Sequence, residues 1–297
     1  MNNCNISVVI PTYNRPKQLL VAIEEIFACN PRPDEIIVHI DGSDNVTEAA
    51  LHQSEFKDIV IIKNPIQVGP GGGRNVAIAR AKNTIVASFD DDSYPLDPDY
   101  FSRLLQLFEQ FPKAAVIGAA IYHIGEEVKP DEQNIRWESA FVGCGCAYRK
   151  DIFLQTNGYV ELPVAYGMEE VDLALRLHHQ GWGILISPWL RVFHDSKLEH
   201  HSSPQVTAAS IANLALLAYL RYPPSLWWLG IGQCLNRMVW LMRHQRFAGI
   251  MDGVFTVPRL IRQHQHHRQV ITSQSLLSYL RLRRNVVSIP LSQVSCQ

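Results

Sequence analysis

The hydrophobic pattern in the first half of the chain alternates between two periods. "NISVVIPTYN" carries a β-branched run that stops at Pro11, and "RPKQLLVAIEEIFAC" places apolar residues at 19, 20, 23, 26 and 27, the spacing of one helix face. "DEIIVHIDGSD" predicts a second strand closed by an Asp-Gly turn, "NVTEAALHQSE" a helix capped by its Asn or Thr, and "KDIVIIKN" a third strand. "GGGRNVAIARAK" predicts a helix entered through glycines, and "NTIVASF" a fourth strand. Strands separated by helices of this length predict right-handed βαβ units and an α/β fold with a mostly parallel sheet.

Beyond residue 95, "DPDYFSRLLQLFEQF" predicts an amphipathic helix with Asp97 or Asp99 as its cap, and "AAVIGAAIYHI" a strand. Residues 125–140 turn polar and predict a loop or lid, with Trp137 and Glu138 at its end. "ESAFVGCGCAYRKDIF" and "WGILISPWLRVFHD" predict further strands, with the short helix "EEVDLALRLHHQG" between them. The last hundred residues change character. "QVTAASIANLALLAYLR" and "PPSLWWLGIGQCLNRMVWLMRHQR" are apolar with aromatic and Arg interruptions, and neither holds a run of uncharged apolar residues long enough to span a bilayer.

Charge follows the same division. The chain has 297 residues and a net charge of −1, but from residue 200 onward ten Arg or Lys face one acid, Asp252. Two regions are therefore expected, an acidic α/β domain over 1–199 and a basic, amphipathic helical region over 200–297 that contacts a membrane, or else packs on the first domain or on another subunit of a homo-oligomer. Arginines interleaved with Leu, Trp and Ile suit an anionic membrane surface, whereas nucleic acid calls for a polar basic stripe. The start "MNNCNISVVIPTYN" lacks the layout of a secretory signal, so a cytoplasmic protein, peripheral on the inner face of the membrane, is expected. Six scattered cysteines show neither a disulfide framework nor zinc spacing; Cys144 and Cys146 are expected to share one face of a strand.

The candidate chemistry collects at strand ends, where open α/β sheets bind ligands. "PTYNRP" follows the first strand, Asp41 the second, "VGPGGGRN" the third, and Asp90, Asp91 and Asp92 the fourth. Three adjacent carboxylates repel one another and raise one another's pKa, so they need a compensating cation or a very wet site; a divalent metal bound through hard oxygen ligands is the candidate. The glycine loop lacks the Gly-Lys-Ser/Thr of a P-loop, and Arg74 stands where a dinucleotide fingerprint starting at Gly69 requires glycine. What remains is backbone exposed at a helix N-terminus beside a guanidinium, which suits a diphosphate.

Taken in order, "SVVIPTYNRP", "HIDGSD", "GPGGGRNVAIARA", "FDDDSYP", "GCGCAYRKDIF", "GYVELPVAYGMEEVDLALRLHHQGW" and "RVFHD" resemble the inverting glycosyltransferases of family 2, which have a GT-A fold. The resemblance implies a nucleotide-diphospho-sugar donor (UDP-, dTDP- or GDP-linked), Mn2+ or Mg2+, and a saccharide, polysaccharide or lipid-linked acceptor. It implies donor contacts from Pro11, Thr12, Tyr13, Asn14, Asp41, Gly73, Arg74, Asp90 and Asp91, and metal ligands at Asp90, Asp92 and His194. It also implies a catalytic acid pair, Glu169 and Glu170, with Glu170 as the base that deprotonates the acceptor hydroxyl. The family's usual pair is Glu-Asp; the second acid here is one methylene longer. A competing expectation is a non-catalytic nucleotide-sugar or membrane-binding partner that keeps the donor pocket. A nucleotidyltransferase would carry an N-terminal glycine-rich signature, and "IPTYNRPKQ" has no glycine.

Overall fold

The computed structural model describes residues 3–56, 59–129, 134–162, 164, 166–195, 203–285 and 287–290. Its centre is a mixed sheet built from β1 (Asn3–Thr12), β2 (Arg32–Ile40), β3 (Ile59–Lys63), β4 (Ile85–Phe89), β5 (Ser93–Pro95), β6 (Ala114–Tyr122), β7 (Asn134–Glu138), β8 (Gly145–Arg149), β9 (Gly183–His194) and β10 (Val287–Pro290). The order is β10-β7-β9-β6-β8-β4-β1-β2-β3, with β5 paired to β9. The parallel arrangement expected from the βαβ pattern holds through β3-β2-β1-β4. Past β4 the sheet is mixed: β8 enters antiparallel between β4 and β6, and β6 runs parallel to β9.

Helices cover both faces. On one side α1 (Pro16–Ala28) and α4 (Tyr100–Gln110) bury Leu19, Ile23, Ile26, Leu104 and Leu107 against β1 and β4. On the other, α3 (Gly69–Arg80), α5 (Lys150–Gln155) and α6 (Glu169–His179) share a core with α7 (Pro204–Arg221) and α10 (Ser273–Leu282), through Leu173, Leu177, Leu216, Leu220 and Leu276. The change of composition at residue 200 is thus not a break in packing. β10 even extends the sheet along β7. α8 (Trp227–Arg243) and α9 (Ile250–His264) ride outside α7, and no helix among the described residues is long and apolar enough to cross a membrane.

Several local expectations need correction. α2 (Asn45–Gln53) is capped by neither Asn45 nor Thr47: the Asp44 carboxylate accepts from the Val46 and Thr47 N–H groups at 3.1 and 3.0 Å. Neither Asp97 nor Asp99 caps α4 through its side chain. Arg191 and Arg103 hold Asp97, and Arg103 also pairs with Asp99 at 2.9 Å, so guanidinium charge outcompetes the helix N-terminus. The polar stretch expected as a loop carries β7 in its second half, where Trp137 packs edge-on against Phe111 and over Gly183, so it braces the sheet. Cys144 and Cys146 reach different partners, the His194 ring and the Tyr148 hydroxyl.

Candidate active site

At the carboxyl end of β1 the chain turns sharply: Asn14 adopts φ 55°, a left-handed conformation asparagine tolerates, and its N–H donates to Asp44 Oδ2 at 2.7 Å. The turn brings Arg15 over the tip of β4, where its Nη1 donates to Asp91 Oδ1 at 3.2 Å and Asp92 Oδ2 at 2.6 Å. Thr12 Oγ1 donates to Asp91 Oδ2 at 2.8 Å. After β2, the two oxygens of Asp41 accept from the Val68 and Gly69 N–H groups, at 2.8 and 3.0 Å. Asp41 therefore anchors the entry to α3 while facing the same space.

That space is a cleft of about 640 Å³ lined by Pro11, Thr12, Tyr13, Arg15, Gln18, Asp41, Gly69, Pro70, Asp90, Asp91, Asp92, His194 and Asp195. His194 arrives from the end of β9, whose pairing with β5 sets it opposite Ser93. Its Nε2 lies 3.1 Å from Asp92 Oδ1 and 4.0 Å from Asp90 Oδ2, and its Nδ1 lies 3.6 Å from Cys144 Sγ. Asn14, Gly73, Arg74, Glu169 and Glu170 stand outside this lining. Asn14 makes the turn, and Gly73 packs on His39 and Pro11, where an added Cβ would meet His39 Nδ1 at 2.6 Å.

Three cations answer the three acids. Arg74 is buried; its Nε donates to Ser88 at 2.9 Å and its Nη2 pairs with Asp90. Burial pushes the Asp91 carboxyl up to about 6, against the opposing pull of Thr12 and Arg15. Burial acts the same way on Asp92, but the His194 and Arg15 contacts outweigh it and hold Asp92 below the usual carboxylate range. The His194 ring is raised: burial disfavours its charged form, and the Asp92 bond with the Asp90 charge more than compensates.

The donor set suits a divalent cation. One ligand atom each from Asp90, Cys144 and His194 falls within 4.8 Å of the others, and Asp92 is bonded to the same imidazole. The carboxylate oxygens suit a hard divalent cation, and the imidazole nitrogen is a donor that divalent transition metals accept. The Cys144 thiol is raised well above its ordinary range by burial and offers no ready thiolate.

The acid pair sits behind Arg74 at the start of α6. Glu169 is buried, and its Oε1 accepts from the Gly71 N–H at 3.1 Å. This explains a glycine at 71, since a Cβ there would come within 2.3 Å of that oxygen. Burial, with the charge of Glu170, pushes Glu169 up to about 8. Glu170 is raised too, by burial, despite Arg74 and the Gly143 N–H. A Cβ added to Gly143 would meet both Glu170 Oε1, at 2.9 Å, and Arg74 Cζ, at 3.2 Å, so guanidinium and carboxylate flank one glycine. Arg74 thereby joins the acids of the cleft to the pair on α6. Asp172, one turn further, is clamped by Arg176 (2.7 Å) and by Arg221 of α7 (2.5 Å).

Sequence reasoning passed over Arg15, Gln18, Pro70 and Cys144. The signal for Arg15 is the need of three carboxylates for compensating charge, which a guanidinium two residues after Tyr13 answers as well as a metal does. Cys144 was weighed only as a partner of Cys146.

The family model for glycosyl transferase family 2 matches residues 7–157. A Sinorhizobium fredii protein is 21% identical over 236 residues, matched over 68% of this chain but only 26% of its own length. The glucosyl-dolichyl phosphate glucuronosyltransferase of Haloferax volcanii is 23% identical over 215 residues, covering 64% of this chain and 68% of that one. Among solved structures, the mannosyltransferase PcManGT from Pyrobaculum calidifontis, in complex with GDP-Man and Mn2+, superposes with a TM-score of 0.58 at 12% identity, over 94% of this chain and 87% of that chain. Neighbours of this kind are glycosyltransferases of GT-A fold, the architecture described above. With its motifs, its fold and half its length matched, the chain belongs to glycosyl transferase family 2.

Proposed function

We propose that the protein is a metal-dependent, inverting glycosyltransferase that moves a sugar from a nucleotide diphosphate to a saccharide or lipid-linked acceptor at the inner face of the membrane. One observation carries the reading: the acid-lined cleft and the Glu169–Glu170 pair share Arg74, which contacts Asp90 on one side and flanks Gly143 with Glu170 on the other. Pro11, Thr12, Tyr13 and Asp41 form the wall that takes the nucleoside, and Tyr13, 48% exposed, presents a ring on which a base stacks. A divalent cation held by Asp90, Asp92 and His194 supplies positive charge for the diphosphate.

Glu170 accepts the proton of the acceptor hydroxyl as its oxygen attacks the anomeric carbon from the face opposite the diphosphate. The new glycosidic bond forms as the sugar–phosphate bond breaks, the electron pair leaves with the nucleoside diphosphate, and the configuration inverts. Arg15 and Arg74 stabilise the departing charge from fixed positions, which costs no reorganisation during the reaction. The raised pKa of Glu170 makes it a stronger base than an exposed carboxylate.

The lipid-linked acceptor is supported by the dolichyl phosphate in the name of the Haloferax relative, and the membrane location by the basic helices α8 and α9, the first of which carries Trp227, Trp228 and Trp240. The test is incubation with Mn2+ and UDP-, dTDP- and GDP-sugars, following donor consumption. Glu170→Gln is expected to lower turnover by ~10²–10⁴-fold while leaving donor binding in place. Wild-type turnover in that variant, or donor bound tightly by the native chain and never consumed, overturns the proposal.

A further inference from the structure

A second cavity lies far along the chain from the acids. α7, α8 and α9 enclose a groove of about 380 Å³ with Ile211, Ala215, Gly230, Met238, Val257 and Ile261 among its walls. Its lining is hydrocarbon, aromatic ring and sulfur. The rim is open: Ile231 is 63% exposed and Leu235 54%, and both also line the groove. Trp228, at 64%, and Phe255, at 73%, extend the apolar surface along α8 and α9. Contiguous exposed apolar surface of this kind marks a contact with a partner or a membrane.

Charge narrows the occupant. At one end of the groove Arg268 stands over the rings of Tyr219 and Trp227, at 5.1 and 5.8 Å from their centroids, and both rings line the cavity. Arg262 falls on the same face of α9 as Met251 and Phe255 by helical spacing, and Asp252 is the only acid after residue 200. A second copy docked through this face would set arginine against arginine. An anionic bilayer presents phosphates to those arginines and hydrocarbon to the groove.

We infer that this groove seats one acyl chain of an anionic phospholipid, with Arg268 at the headgroup phosphate, when the protein docks on a bilayer. The inference rests on the membrane location proposed above and deepens it by naming the lipid contact.

The experiment uses the full chain and vesicles of phosphatidylcholine with phosphatidylglycerol, the latter carrying a photoreactive group midway along one acyl chain. Flotation at low salt is expected, and after irradiation adducts on residues of α7, α8 and α9 that line the groove. Ala215→Trp or Val257→Trp, which fill the groove, should abolish those adducts while flotation persists; Mn2+ binding and circular dichroism establish that each variant is folded. Arg268→Gln should weaken partitioning about fivefold at low salt. Flotation with adducts confined to Trp228 and Phe255 overturns the groove assignment and leaves the membrane location standing. Absence of flotation at low salt overturns the membrane location itself. Should the wild-type chain sediment as a dimer and ignore vesicles, a second copy is the occupant and the inference fails.

Discussion

At the scale of single residues, Arg15 and His194 set the terms on which a cation enters. Arg15 bridges Asp91 and Asp92 with a side chain 44% exposed, so it competes for carboxylates from a solvent-screened position. Arg15→Gln is expected to tighten binding of Mn2+ alone, by less than about fivefold, as read by calorimetry; weaker binding would show that Arg15 assembles the acids instead of competing for them. His194 must release its proton to ligate a metal, and Asp92 and Asp90 favour the proton. Mn2+ affinity should therefore fall about tenfold per pH unit below the ring's raised pKa, and His194→Asn should flatten that slope. Glu169 titrates near 8 in the folded chain against an ordinary 4.5. The folded state then holds a proton that the unfolded state releases between those values, and stability falls as pH rises through that window. Glu169→Gln keeps an acceptor for the Gly71 N–H and removes the ionisation, so it should melt ~2–4 °C above wild type near pH 9, with the difference fading toward pH 5. Equal melting curves at both pH values would contradict a Glu169 whose carboxyl pKa is raised by burial.

At the scale of elements, α6 is placed from two directions. The Gly71 N–H of α3 holds Glu169, and Arg221 of α7 clamps Asp172, which Arg176 also holds. Arg221 is 2% exposed, so its removal leaves part of the Asp172 charge unpaired in the core. Arg221→Ala should cost about 3 kcal/mol in denaturant unfolding, the lower end of the range for a broken buried pair because Arg176 remains. The same elements show what could be read from sequence. The tips of β1, β2 and β4 were legible because β-branched runs end abruptly at Pro11, Asp41 and Asp90, and a parallel sheet brings such ends to one side. The Asp44 cap and the Arg191–Asp97 pair were not legible, since competition among acids for helix N–H groups and guanidinium groups is decided by three-dimensional proximity. β7 is hard to read because it is short: Asn134–Glu138 does alternate, with Ile135 buried between exposed Asn134 and Arg136, but five residues at the end of a polar stretch give a weak signal.

At the scale of the molecule, the two charge populations read along the chain are packed onto one core. The acids line the cleft at the sheet's end, and the arginines after residue 200 lie on α7 to α10 and the segments beside them, on the other side of a shared hydrophobic core. The Arg221–Asp172 contact ties those helices to the acid pair, so the helices proposed to meet a membrane are fastened to the helix that carries Glu170. The central claim, a cleft that grips a nucleotide diphosphate through a divalent cation, meets its most direct test in calorimetric titration with UDP, dTDP and GDP, with and without Mn2+. The account predicts that one of them binds only with the cation, that Asp92→Asn abolishes this binding, and that Glu170→Gln leaves it unchanged. Nucleotide binding indifferent to both Mn2+ and Asp92→Asn would contradict it.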